Sequence, residues 1–219
     1  MHKMHVLTCL IAVTLTANCA HMRRPTWAAG DRPTVAFDPL AIQADLQLAG
    51  MNDEELFASA TSFFAAEEYQ QAARYFGRIC DFHPKSVHRR SALYNAGLAL
   101  EKLKLWDEAL VRFAEIADAA SNESDAIDAA FRVAEVYYHL DRFGDAAAIL
   151  SRLANRAELS INRRFEAKTQ LGICRLEAGD KKEAEAVLRD ILSWPEAASD
   201  LGTIDDYFIA QAQFFLGEI

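Results

Sequence analysis

Residues 93–110, LYNAGLALEKLKLWDEAL, read as one helix, a tight turn and the start of a second helix. Gly97 stands near the middle of the first helix, where glycine costs roughly 1 kcal/mol relative to alanine. Packing offsets that penalty where a neighbouring helix needs the room. The same arrangement recurs along the chain. A small residue in one helix is followed twelve residues later by an alanine in the next: Ala60 and Ala72, Gly97 and Ala109, Ala134 and Ala146, Gly172 and Ala184. The first members of these pairs lie 37, 37 and 38 residues apart, a period that marks stacked helical repeats. Two antiparallel helices approach closer than the usual 8 to 10 Å only where the crossing lacks bulk. Gly97 and Ala109 supply that gap, and Leu93, Leu100, Leu110, Phe113 and Ile116 interlock around it.

Composition agrees with an all-helical reading. Of 219 residues 52% are hydrophobic, enough for a buried core, while 9 Gly and 5 Pro are too few for a turn-rich all-β fold. A net charge of −9 argues against a nucleic-acid binder that works through a general basic field. The basic pairs Arg23-Arg24, Arg89-Arg90 and Arg163-Arg164 read as solvated faces.

The repeated residues resemble the tetratricopeptide repeat (TPR) family, whose pattern runs W-x2-L-G-x2-Y, then A-x3-F, then P. The first repeat shows Leu56, Ala60 and Phe63, then Ala72-x3-Phe76 and Pro84; the second shows Leu93, Gly97 and Leu100, then Ala109-x3-Phe113. The third carries Ala130, Ala134 and Tyr137, then Ala146-x3-Leu150; the fourth carries Leu171-Gly172, then Ala184-x3-Leu188, and departs at Lys168 and Arg175. Tyr69, Trp106 and Phe143 precede the second helices, with Lys181 in the fourth repeat. The resemblance implies an all-α solenoid of antiparallel helix pairs forming a right-handed superhelix. It covers residues 53–195, and the domain extends to 219 with the first helix of a fifth repeat. That helix starts at Thr203-Ile204-Asp205-Asp206, where early acids suit a helix N-terminus. Its Phe208, Ile209, Phe214, Phe215 and Leu216 spread over more than one face, and Leu216-Gly217 repeats the small-residue signature. A solenoid's last helix needs a polar outer face. The expectation is therefore a longer natural chain, or another molecule over this helix.

Residues 1–19 read as a signal segment to be set apart from the fold. A weakly basic start is followed by a mostly apolar stretch from Val6 to Ala17, too short to span a bilayer. Leu15-Thr16-Ala17-Asn18-Cys19 resembles a bacterial lipoprotein signal, with Cys19 the lipidated residue; Thr16 and Asn18 depart from the pattern. A plain signal-peptidase cut near Ala20 and an uncleaved anchor are the alternatives. Residues 20–52, with Pro25, Gly30, Pro33 and Pro39, form a linker with a possible short helix over 40–48.

No catalytic constellation is present: there is no nucleophile elbow, H-E-x-x-H, phosphate loop or C-x-x-C. No cofactor or metal is expected, because Cys80, His83 and His88 lack a fourth ligand and match no zinc spacing. Cys80 and Cys174 fall in the first and fourth repeats, too far apart to pair, and read as small apolar fillers. His139, beside Tyr137 and Tyr138, reads as a surface or packing residue.

In the TPR family the first helix of each repeat lines the concave face, where peptides or partner helices bind. Carried over by helical phase, that face comprises Phe57, Thr61 and Phe64; Tyr94, Leu98 and Glu101; Phe131, Glu135 and Tyr138; and Thr169, Ile173 and Leu176. Such a groove suits an apolar or mixed peptide, and the alternative is that some of these aromatics belong to the core. The family's basic clamp for acidic C-terminal peptides is mostly missing. Asn95 and Arg132 match two of its members, but Phe57, Thr61 and Asp128 occupy the others. The expectation is a non-catalytic scaffold on the periplasmic side of an outer membrane, held by a lipid and binding other envelope proteins rather than nucleic acid. A soluble periplasmic binding module, or the arm of a longer cell-wall lytic enzyme, are its rivals.

Overall fold

The structure, a computed structural model, describes residues 48–117, 123–195 and 204–219, which belong to one compact unit spanning Gln43–Ile219. The signal segment, Cys19 and residues 20–47 of the linker lie outside the described residues. Residues 48–50 are helical. The chain then runs through α1 (Asp53–Ala65), α2 (Tyr69–Phe82), α3 (Arg89–Lys102), α4 (Trp106–Ala114), α5 (Ser124–His139), α6 (Phe143–Ala154), α7 (Ile161–Glu177), α8 (Lys181–Leu192) and α9 (Asp206–Gly217). Each helix packs on the next, and α9 reaches both α8 and α7. Among the described residues there is no strand.

Local chemistry sets the helix limits. Asn52 caps α1 through its side chain, which accepts from the Glu55 amide at 2.9 Å, while the Glu55 carboxylate accepts from the Asn52 amide at 3.0 Å. Asp205 caps α9 by accepting from the Tyr207 amide at 2.9 Å. The second helices are plainly amphipathic: α2 buries Ala72, Phe76, Ile79 and Cys80, and α8 buries Ala184, Leu188 and Ile191.

Each hairpin turns through one motif. Glu67, Lys104, Asp141 and Gly179 all have positive φ (61°, 59°, 57° and 86°), and they recur at the repeat period. The amide after each bonds back five residues along the chain, as from Leu105 to the Leu100 carbonyl at 2.9 Å and from Arg142 to the Tyr137 carbonyl at 2.8 Å. The left-handed residue's own amide bonds the carbonyl three back, as from Lys104 to Glu101 at 2.9 Å. This pair of bonds satisfies the orphan carbonyls at the end of the first helix and reverses the chain. Three of the four repeats accept a non-glycine residue in that conformation.

Close approach within the hairpins is present, and what an added side chain would meet first is not the alanine twelve residues on. A Cβ added at Gly97 would lie 2.6 Å from the Phe113 ring, and one at Gly172 would lie 2.6 Å from Leu188 Cδ2. The residue filling each gap is thus sixteen positions later, one helical turn beyond Ala109 and Ala184. Phe76 and Leu150 hold the same register opposite Ala60 and Ala134, and all are buried. The eight small residues of the sequence pattern are buried throughout. A second small position joins neighbouring repeats: Ala92, Ala129, Ala167 and Ala212 lie five residues before Gly97, Ala134, Gly172 and Gly217, each fully buried. Ala92, Ala167 and Ala212 sit in apolar clusters shared with the preceding hairpin. At Gly217 an added Cβ would meet nothing within 4 Å, so its gap is open where those of Gly97 and Gly172 are filled.

Among the described residues the core is a string of four apolar clusters, one at each junction: α1–α3, α3–α5, α5–α7 and α7–α9. Such a molecule gains stability from nearest neighbours. Cys80 and Cys174 are buried free thiols, and burial pushes both up to about 11.

Candidate functional site

The first helices α3, α5, α7 and α9 share one face, and salt bridges mark their adjacency. Arg132 of α5 donates to Glu135 at 2.9 Å and lies 3.6 Å from Glu101 of α3. Arg163 of α7 donates to Glu166 at 2.7 Å and to Asp128 of α5. Arg90 of α3 pairs with Glu123 at 2.6 Å and with Asp125. Each guanidinium therefore has two carboxylates.

Glu101 is the most perturbed acid on this face. Burial pushes its carboxyl up to about 7, with Arg132 opposing the shift, and its Oε1 has no hydrogen-bond partner. Glu166 is raised for the same reason, against Arg163. Burial works against the charge on Arg132, but the Tyr94 hydroxyl, Glu135 and Glu101 hold its proton more firmly than usual.

Past Glu135 the face opens into a depression of about 290 Å³ between α5, α7 and α9, with Leu150 at its base. Glu135, Tyr138 and Ile173 reach it from the positions expected by helical phase. Tyr207, Phe208, Gln211 and Phe215 of α9 form the opposite wall, with Gln170 beside them. Burial, followed by the neighbouring Glu177, raises the Tyr138 hydroxyl's pKa.

The other expected groove residues are used differently. Phe57 sits edge-on to Phe76 at 5.5 Å and stacks on His88 at 4.7 Å. Phe64 meets Tyr69 at 5.4 Å, and Tyr94 meets Phe113 at 5.5 Å. The Thr61 hydroxyl donates to the Phe57 carbonyl at 2.8 Å, and Leu98 packs on the α3–α5 cluster. Phe131 is 6% exposed, a core residue capped by Arg163 at 4.1 Å from its ring; Thr169 is wholly buried. Ile173 is 7% exposed and meets the depression only with its edge. His139 stacks on Trp106 at 4.2 Å.

The α9 wall was missing from the sequence-derived groove, although the two-faced apolar pattern of 207–216 was its signal. Among the described residues no group of three or more His, Cys, Asp or Glu could hold a metal, and no helix is long and apolar enough to cross a membrane.

Comparison with known proteins agrees with this architecture. The tetratricopeptide repeat family model matches residues 56–86 and 91–122, the first two hairpins. No curated protein sequence matches the chain. Among solved structures, nearly identical TPR-like repeats from Podosopora anserina superpose with a TM-score of 0.53 at 13% identity, over 69% of this chain and 82% of that one. MamA from Desulfovibrio magneticus RS-1 gives 0.53 at 14% identity, over 76% and 93%, and the apo form of RapI gives 0.52 at 13%, over 81% and 74%. The chain carries TPR repeats and folds as a TPR solenoid, an architecture that typically serves protein–protein interaction. Nothing in the fold or in these likenesses indicates a catalytic activity.

Proposed function

We propose that this protein is a non-catalytic scaffold of the bacterial cell envelope, anchored through a lipid on Cys19, that holds partner proteins by seating a segment of each in the depression between α5, α7 and α9. The observation that carries the binding part is that depression: it is open to solvent, lined by three successive first helices, and has aromatic residues from α5 and α9. Aromatic side chains with polar tips, such as Tyr138 and Tyr207, are the residue types that dominate binding energy at protein interfaces. The envelope part rests on the lipoprotein-like sequence ending in Ala17-Asn18-Cys19 and on the proline-bearing linker after it. Behaving as a flexible coil, residues 20–40 would reach on the order of 25 Å from a membrane surface.

Two experiments test the two parts separately. A photoreactive residue at Tyr207 should cross-link to a discrete partner in intact cells, while the same residue at exposed Val111 on α4 should not. Equal labelling from both positions would remove the groove from the reading. Cys19→Ser should move the protein from the membrane to the soluble fraction, and an unchanged distribution would count against the anchor.

A further inference from the structure

We infer that the segment seated in the α5–α7–α9 depression is cationic and apolar: an aliphatic or aromatic side chain entering the hollow, flanked by lysine or arginine. This rests on the groove reading above and adds the partner's chemistry. Apolar surface accounts for the walls, and the charges select among apolar occupants. The depression's lining contains Glu135 and no lysine or arginine. At its rim Glu177 is exposed and hydrogen-bonds Tyr138. The arginines nearest along the face are already engaged, Arg132 by Glu101 and Glu135, and Arg163 by Asp128 and Glu166. Arg90 repeats the arrangement with Glu123 and Asp125. Two acidic side chains per guanidinium leave an excess of negative charge along the face leading into the hollow, reduced where burial raises the pKa of Glu101 and Glu166 and fullest at Arg90 with Glu123 and Asp125. An acidic segment would meet that excess with the ladder's arginines Arg90, Arg132 and Arg163 already engaged. A basic segment would meet carboxylates at the rim while keeping its own charge near water, an arrangement that discriminates partners and speeds encounter. The gap in the ladder is at the depression itself, where Gln170 and Gln211 stand in place of charged residues and the walls turn aromatic.

The test uses the purified full chain and three fluorescently labelled peptides of identical apolar spacing, with lysine, glutamine or glutamate at the flanking positions. The lysine peptide should bind at least roughly tenfold more tightly than the glutamate peptide at low salt, with the preference shrinking as salt rises. Glu135→Gln with Glu177→Gln, both exposed positions, should weaken lysine-peptide binding several-fold more than it changes glutamine-peptide binding. Tyr207→Ala should weaken all binding. Equal affinities for the three peptides, all lost in Tyr207→Ala, would overturn the charge preference while leaving the groove in place. Absence of binding, or binding indifferent to Tyr207→Ala, would overturn both readings.

Discussion

The two halves of the first-helix face surround their aromatic residues differently. In α1 and α3, Phe57 and Tyr94 lean on Phe76 and Phe113 of their own second helices, and Phe57 also stacks on His88. In the α5–α9 half, Tyr138 meets Phe143 of its own second helix at 5.4 Å but also borders an open hollow with Tyr207 and Phe208, and Tyr207 is 64% exposed. Tyr138 holds the helical phase of Phe64, two repeats earlier, and both meet an aromatic ring at the start of their second helix; the hollow beside Tyr138 is what differs. What separates the halves is the neighbour. Tyr207, Phe208 and Phe215 of α9 bound one side of a space that α5 and α7 bound on the other.

The comparison can be broken most sharply by truncating one aromatic from each half. Phe57→Ala removes a half-buried ring from the first cluster and should cost about 2 kcal/mol, read as a lowered urea midpoint. Tyr207→Ala should stay within about 0.5 kcal/mol of wild type. If the two variants lose equal stability, the distinction between closed and open halves fails. Within the hairpins, Gly97→Leu should cost about 1 to 3 kcal/mol by overpacking against Phe113. Gly144→Ala, where an added Cβ meets nothing within 4 Å, should instead gain up to about 1 kcal/mol. Matching melting shifts for these two would mean the close approach is not where the packing places it.

A smaller effect is expected at the turns. Gly179→Ala places a side chain at φ 86° and should cost about 1 kcal/mol, whereas Lys104→Gly, relieving the same conformation, should gain at most about that much. The subtlest expectation concerns pH. Glu101 holds its proton more tightly in the fold, up to about 7, than the 4.5 of an ordinary glutamate. Between those values the native state binds more protons than the unfolded chain, so this residue makes stability fall as pH rises, and its penalty is complete above about 7. Glu101→Gln should flatten that fall between about pH 5 and 8. An unchanged slope would show that Glu101 ionises freely.

The fold was legible because its signals repeat: a small residue every 37 or 38 positions and an A-x3-F or A-x3-L motif in phase with it. Two physical features were not. The spacing of twelve from Gly97 to Ala109 marks two small residues, but sequence does not tell which large residue fills the gap; helix crossing selects Phe113, one turn later. The left-handed turn residue was hidden because glycine marks it only at Gly179, while Glu67, Lys104 and Asp141 adopt it under the constraint of the hairpin bonds. Of the site, Glu135, Tyr138 and Ile173 could be placed by helical phase. Phe131 and Thr169 could not, since a wide apolar stripe does not reveal which of its edges a neighbouring repeat covers.

Hydrogen exchange on the chain, with and without the partner segment recovered from the Tyr207 cross-link, tests the central claim most directly. Binding in the open half predicts slowed exchange within residues 131–139, 169–177 and 206–217, and unchanged exchange in α1 and α2. Slowing centred on α1–α3, or confined to the outer surfaces of α4 and α6, would contradict it.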